Sequence, residues 1–361
     1  MRPAVQRSEA SASVRRMRIA TFLPHVGVFG GVRRFLELGN AWSASGHTVT
    51  LYHPDGGEPG WLPYRGRVEP LDRAASAASD LAFCADRYTF DAFAAHPAKV
   101  HVYYAVAHDD PGVGRAATTP GMRLAANSGE LRRRIARATG RAVLDGIGGI
   151  SIRQFQPDPA KRPSGAIRVL LNGRRSRPKK GTDLVLRALE GISSPLPLEI
   201  VLFDSVGEQN RQDPRDGARL PEGARFVLGP SQDELVGLYQ SAHLFVAAER
   251  KAGWCNTALE AMACGAAVIC TDSGTTDFAR DGENALRVRW RHPLFFRRAI
   301  RRLLADSSLR ERLASAGPST AARWTWEMLA AKLLDPIAPE VASAPNENGG
   351  QQARRAGSPN L

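Results

Sequence analysis

The sequence predicts an α/β protein made of two Rossmann-like, doubly wound domains facing a shared cleft. Three observations predict it. Residues 18–52 read as strand, glycine-rich loop, helix and strand, the βαβ opening of a doubly wound sheet. The same alternation starts afresh at Ile167, after an irregular connection, Asp145–Pro159. And 361 residues at 43% apolar content suffice for two ordinary cores. The boundaries read as a disordered N-terminus 1–16, a first domain 17–158, a second domain 159–323, a final helix 324–336 and a disordered tail 337–361.

In the first half, Arg18–Leu23 is a strand and a helix runs from about Val32 to Ala44, stopped by Gly46 in a left-handed cap. Thr48–Tyr52 is the next strand. The loop glycines Gly27, Gly30 and Gly31 do not spell G-x-G-x-x-G, so a nicotinamide site is not supported. Gly30-Gly31 either admits a ligand close to the backbone or turns the chain. Strands follow at Asp80–Cys84, Lys99–Ala107, Leu124–Asn127 and Ala142–Asp145, with a helix Gly129–Ala138 capped by Ser128. His108 follows the second of these strands, at its ligand-side end; the alternative is a surface-loop histidine. Asp55–Ser79 and Asp109–Met122 carry no readable chemistry.

The second half offers strands at Ile167–Asn172, Leu198–Phe203, Arg225–Leu228, Leu244–Ala248, Ala267–Cys270 and Leu286–Val288. Helices fall at Thr182–Leu189, Gln232–Ser241 and Pro293–Leu304. Glu249–Asp277 organises this half: loop, short helix, glycine stop at Gly265, buried strand, loop. A helix starting at Asn256–Thr257 aims free N–H groups and a positive dipole end into the crevice, which suits a phosphate. Glu260 has two readings. Thr257-x-x-Glu260 fits a capping box, which the local pattern favours; the other reading is a carboxylate accepting ligand hydroxyls such as a ribose diol. Arg174, Arg175, Lys179 and Lys180 flank the end of the strand that opens this half. They suit phosphate binding or form a basic turn.

The net charge is +13, but the basic residues are spread over both halves. A solvated surface ranks first, attraction of an anionic substrate or membrane leaflet second, and nucleic acid last. Arg291–Arg302, the densest run, reads as a solvated helix face. No apolar run approaches a membrane span, and no secretory h-region follows the N-terminal arginines. The four cysteines lack C-x-x-C spacing and read as reduced thiols of a cytoplasmic protein. H-E-x-x-H, zinc spacing, G-x-S-x-G, Walker A and D-x-D are all absent. No metal and no cofactor are therefore expected, and a diphosphate would rest on Arg, Lys and a helix terminus.

Read in order, several segments resemble GT-B retaining glycosyltransferases, close to glycosyltransferase family 4 (group 1), from about Arg18 to Leu334. They are Gly30-Gly31-Val-Arg-Arg, Gly149-Ile-Ser-x-x-x-Phe155, Gly173-Arg174 with Lys180-Gly181, and Phe226-Val-Leu-Gly229 with Leu235 and Leu238-Tyr239. Leu259-Glu260-Ala-Met-Ala-Cys-Gly265 and Trp326-Glu327 complete the series. The resemblance implies an acceptor-side first domain, a donor-side second domain and a closing helix that crosses back to the first. It implies that Glu260 holds the donor ribose and that Arg174 and Lys180 stabilise the leaving diphosphate. Gly30 and Gly31 would lie near that diphosphate, N–H groups around Asn256 and Thr257 would meet phosphate or sugar, and His108 would touch the sugar. Transfer would be metal-independent and retaining, from a nucleotide-diphosphate sugar to a glycan, lipid-linked or small-molecule acceptor, in polysaccharide biosynthesis. Nucleic acid is not an expected partner, and the expected location is the cytoplasm, with peripheral contact at the inner membrane surface.

Two positions depart from the family pattern. A glutamate expected eight residues before Glu260 is Ala252, and Glu249, three residues earlier still, reaches the site only through a different loop. Gly274-Thr275 stands where many relatives have Gly-Gly. Ala252 keeps alternatives open: a catalytically silent GT-B protein that binds nucleotide or protein partners, or a GT-B sugar-nucleotide epimerase or phosphorylase.

Overall fold

A computed structural model of the chain describes residues 16–205 and 220–343. The first sheet contains β1 (Arg18–Phe22), β2 (Thr48–His53), β3 (Arg67–Pro70), β4 (Ser79–Cys84), β5 (Ala98–Ala105), β6 (Arg123–Ala126) and β7 (Val143–Asp145). Their order is β3-β2-β1-β4-β5-β6-β7. The second contains β8 (Ile167–Asn172), β9 (Leu198–Asp204), β10 (Arg225–Leu228), β11 (Leu244–Ala247), β12 (Ala267–Cys270) and β13 (Leu286–Arg287). Their order is β10-β9-β8-β11-β12-β13.

Pairing between these strands is parallel throughout. Helices cover both faces, so the central strands are apolar at nearly every position; β11 and β12 are buried along their whole length. In each sheet the strand order reverses once, between β1 and β4 and between β8 and β11. Loops leaving strand C-termini at such a reversal open a crevice.

The two units are stitched together. The helix α1 (Gly30–Ala44) packs against the helix Trp326–Leu334, where Trp42 Nε1 donates to the Ala330 carbonyl at 3.2 Å. The chain thus returns from the second sheet to the core of the first, burying Leu329 and Leu333 among Phe35, Leu38 and Trp42. Asp277 Oδ2 accepts from the Gly129 amide at 2.9 Å, and Lys251 Nζ meets Asp109 Oδ2 at 2.9 Å.

Several expectations need correction. Asp55–Ser79 is not featureless: it holds β3 and a 3₁₀ turn, Leu71–Ser76. The edge strand Arg-Val-Glu-Pro is short and only partly buried, so it leaves little hydrophobic pattern. The helices Gly112–Thr118 and Ser307–Ala321 also escaped the sequence reading. The second carries Gly317 and Pro318, which read as breakers. Gly317 is there for packing: a Cβ would lie 2.4 Å from the Met262 carbonyl oxygen. The tail expected from residue 337 begins instead with a helix, Ala338–Ser343, that buries Val341 and pairs Glu340 with Arg123 at 2.8 Å. Residues 1–15 and 344–361, also expected to be disordered, lie outside the described residues.

Candidate active site

A cavity of about 340 Å³ lies between the sheets. It is lined by loops leaving β1, β5, β6, β8, β9 and β11. That volume suits a small ligand. Both strand-order reversals open onto it.

Two helix N-termini face it from opposite sides. α1 begins at Gly30 after Phe29, and the helix Asn256–Ala263 begins after Cys255; neither has a side-chain cap. Their first N–H groups remain available to a ligand, with the positive dipole end behind them. A Cβ on Gly30 would approach Asn256 Nδ2 to 3.4 Å, so the two helix starts nearly touch. Gly30 and Gly31 are not in the left-handed region, and a Cβ on either would make only ordinary contacts, at 3.4 and 3.6 Å, so neither backbone conformation nor packing requires glycine there. Gly253 brings the β11 loop onto the first domain, because a Cβ there would lie 2.4 Å from the Val106 carbonyl oxygen.

Glu260 is buried and does not form the capping box that the local pattern favours. Its helix starts at Asn256, which puts Thr257 inside the first turn and not at the cap. A capping box does form at Ser231 and Glu234. Glu260 Oε2 instead accepts from the Tyr239 hydroxyl at 2.9 Å. Phe155, Phe203 and Phe245 meet the Tyr239 ring edge-on, with centroids 6.0, 5.6 and 5.7 Å away, and hold it in that pose. Burial pushes the Glu260 carboxyl above its ordinary pKa, while Arg33 and the Tyr239 hydrogen bond pull the other way.

Arg174 and Lys180 both line the cavity. Arg174 Nε donates to Asp204 Oδ2 at 2.7 Å and its Nη2 donates to the Ser205 carbonyl at 2.9 Å. Asn172 Oδ1 accepts from the Arg174 amide, fixing the turn after β8. Lys180 Nζ donates to Glu249 Oε1 at 2.7 Å. Burial drives the Lys180 pKa down, but the Glu249 carboxylate outweighs it and holds the ammonium above its ordinary value. Glu249 therefore reaches the site, just past the end of β11; its carbonyl accepts from Thr271 Oγ1 at 2.7 Å. Ala252 also lines the cavity, with its amide held by Ser273 Oγ at 2.7 Å, and it places a methyl where the family pattern has a carboxylate.

Ala107 lines the cavity, and His108 follows it directly. Its ring bonds Asp109 Oδ1 at 3.0 Å and Arg134 at 2.6 Å on the surface of the first domain. The chain turns after β5, and these charged neighbours hold the ring.

Sequence reasoning missed other lining residues. Arg33 reaches across to Gln232 and lies 5.5 Å from the centre of the Trp61 ring. Arg34 is buried, donating to the Tyr104 hydroxyl at 2.9 Å and the Gly148 carbonyl at 2.7 Å. Both lie in the quoted Gly30–Arg34 segment, so a signal was present. Asn127 and Trp254 gave none. Asn127 Oδ1, Trp254 Nε1 and Asn256 Oδ1 are buried without a hydrogen-bond partner among the described residues.

Comparison with known proteins fits this geometry. Over 91% of the chain the fold superposes on sucrose-phosphate synthase (tll1590) from Thermosynechococcus elongatus, covering 100% of that chain, with a TM-score of 0.74 at 17% identity. Anabaena Alr3699/HepE in complex with UDP-glucose gives a TM-score of 0.73 at 15% identity, over 90% of this chain and 100% of that one. The protein has the GT-B fold of two facing Rossmann-like units. Residues 166–306 are similar to the family described as glycosyl transferases group 1.

Curated relatives agree. A D-inositol 3-phosphate glycosyltransferase of Salinispora arenicola is 27% identical over 259 residues, 70% of this chain and 52% of that protein. One from Streptomyces bingchenggensis is 28% identical over 207 residues, 52% of this chain and 45% of that protein. The chain spans about half the length of the curated relatives it matches.

Proposed function

We propose that the protein is a metal-independent, retaining glycosyltransferase that moves a sugar from a nucleotide-diphosphate sugar to a glycan, lipid-linked or small-molecule acceptor on the cytoplasmic side of the cell. The observation that carries this reading is the convergence of Arg174, Lys180, Glu260 and two uncapped helix N-termini on one interdomain cavity. Residues 159–323 would hold the donor and residues 17–158 the acceptor.

In this reading Glu260, steadied by Tyr239, accepts hydrogen bonds from the ribose hydroxyls. Arg174 and Lys180 take up the charge that builds on the departing diphosphate, the task a divalent cation performs elsewhere. Both cations are already paired with carboxylates, which fixes their direction before the donor arrives. N–H groups at Gly30, Gly31, Asn256 and Thr257 add neutral donors to the same phosphates. Sugar hydroxyls would engage Asn127, Trp254 and Asn256, whose unpartnered buried atoms each cost about 1–3 kcal/mol unless satisfied.

A second reading, a catalytically silent nucleotide binder, is favoured by Ala252 alone. The experiment is product analysis. The protein is incubated with UDP-, GDP- and ADP-sugars and candidate acceptors, with and without EDTA, and the anomeric configuration is read by NMR. A retained product formed equally in EDTA is expected. An inverted product, or activity that EDTA abolishes and Mg²⁺ restores, contradicts the mechanism. Nucleotide binding without turnover of any donor selects the silent reading.

A further inference from the structure

Outside the cavity lining, one patch of surface combines two properties that a solvated helix face does not need together. Trp290, Leu294 and Phe295 are 56%, 67% and 40% exposed, three large apolar side chains open to solvent within six residues. The Trp290 and Phe295 rings pack together with centroids 5.0 Å apart, and Arg289 lies 5.1 Å from the Trp290 ring centre. Around them the stretch from Asn284 to Ala305 contains no aspartate or glutamate but carries Arg287, Arg289, Arg291, Arg297, Arg298, Arg301 and Arg302. The helix Pro293–Ala305 turns Phe296, Ile300, Leu303 and Leu304 into the core and leaves Arg298, Arg301 and Arg302 outside.

We propose that this patch docks the protein on an anionic lipid bilayer, with Trp290, Leu294 and Phe295 in the headgroup layer and the arginines on the lipid charges. Aromatic side chains favour that interfacial depth, and each nearby arginine adds attraction to an anionic leaflet. Charge complementarity decides the partner: Arg287 is paired with Asp272 at 2.6 Å, but the exposed Arg298, Arg301 and Arg302 pull toward anions, while the exposed aromatic and aliphatic tip would gain nothing from a nucleic-acid phosphate backbone. The patch is also tied to the cavity wall. Arg291 Nε donates to the Ala248 carbonyl at 2.7 Å, beside Glu249, and its Nη2 donates to the Pro178 carbonyl at 2.5 Å, in the turn that carries Lys180. Docking would therefore bring one wall of the cleft near the bilayer. The inference goes beyond sugar transfer and is read by binding alone, so its failure leaves the proposed activity standing, and failure of that activity leaves the docking result intact.

The test is cosedimentation of the full chain with vesicles of phosphatidylcholine alone and of phosphatidylcholine with phosphatidylglycerol. Two exposed variants are compared: Trp290→Ser/Leu294→Ser/Phe295→Ser and Arg298→Glu/Arg301→Glu. Thermal unfolding and nucleotide affinity, neither of which these residues serve, check that both remain folded. Binding to the anionic vesicles alone is expected, weakened in each variant by on the order of tenfold or more. No binding to either vesicle, or binding unchanged in both variants, overturns the proposal. So does duplex DNA binding that both variants lose while vesicle binding stays, or a solution dimer broken by the Trp290 variant.

Discussion

The two sides of the cavity are built from different materials. The second domain supplies cations already paired with carboxylates and a buried acid: Arg174 against Asp204, Lys180 against Glu249, and Glu260 under Tyr239. The first domain supplies the start of α1, the exposed apolar Val28 and Phe29, Trp61, and the arginines Arg33 and Arg34. In the proposed reading, the diphosphate shared by nucleotide-sugar donors calls for fixed charges on rigid strand ends, and the first domain would shape the acceptor side. The contrast places the largest functional losses in the second domain.

Arg174→Ala should break the comparison most severely. Turnover should fall by roughly 10²-fold or more, since the group acts on charge that develops in the transition state. Steady-state kinetics with the accepted donor checks this, and a rate within a few-fold of wild type would remove Arg174 from the mechanism. Glu260→Ala comes next. Nucleotide affinity should drop about 10- to 100-fold, the scale of a hydrogen bond to a charged group, and the Tyr239 hydroxyl is left without its acceptor. Calorimetric titration reads it.

Glu249→Gln sharpens the comparison through pH. In the wild type Lys180 has a raised pKa, so its contribution to folding is fully present below the unfolded lysine value and is lost as pH rises through the folded one. Removing the carboxylate's charge leaves burial, which lowers the lysine pKa. Nucleotide affinity that depends on the ammonium should then decline at lower pH in the variant than in the wild type. Identical alkaline profiles would mean that Lys180 does not meet the phosphates. The smallest effect is expected at His108→Ala, within about twofold of wild type, because its contacts lie on the surface of the first domain. A large loss of turnover would show that the ring enters the site in the working enzyme.

Legibility in the sequence divides along the same line. In the second domain the strands are short, mostly apolar and set between helices of clear period, so β8, β10 and β12 fall where the pattern puts them. Arg174 and Lys180, which the sequence places after the strand that opens this half, both line the cavity. Glu260 was readable as two things, and only the helix start at Asn256 separates them. The place of Glu249 stays open in the sequence because the path of the β11 loop depends on contacts no local pattern encodes: Gly253 against Val106, and the Ala252 amide on Ser273. In the first domain, β3 is a half-buried edge strand, and Asn127 and Trp61 join the site only through tertiary folding. His108 follows a strand end on the ligand side, and its ring meets Arg134.

The most direct test of the central claim is thermal unfolding of the wild type and Glu260→Ala with UDP, GDP, ADP and their sugar conjugates. At about 100 times its Kd a bound ligand should add about 2.7 kcal/mol of stability. The account predicts that one nucleotide diphosphate raises the unfolding temperature of the wild type and shifts Glu260→Ala far less at the same concentration. No shift with any nucleotide, or an equal shift in both proteins, would contradict it.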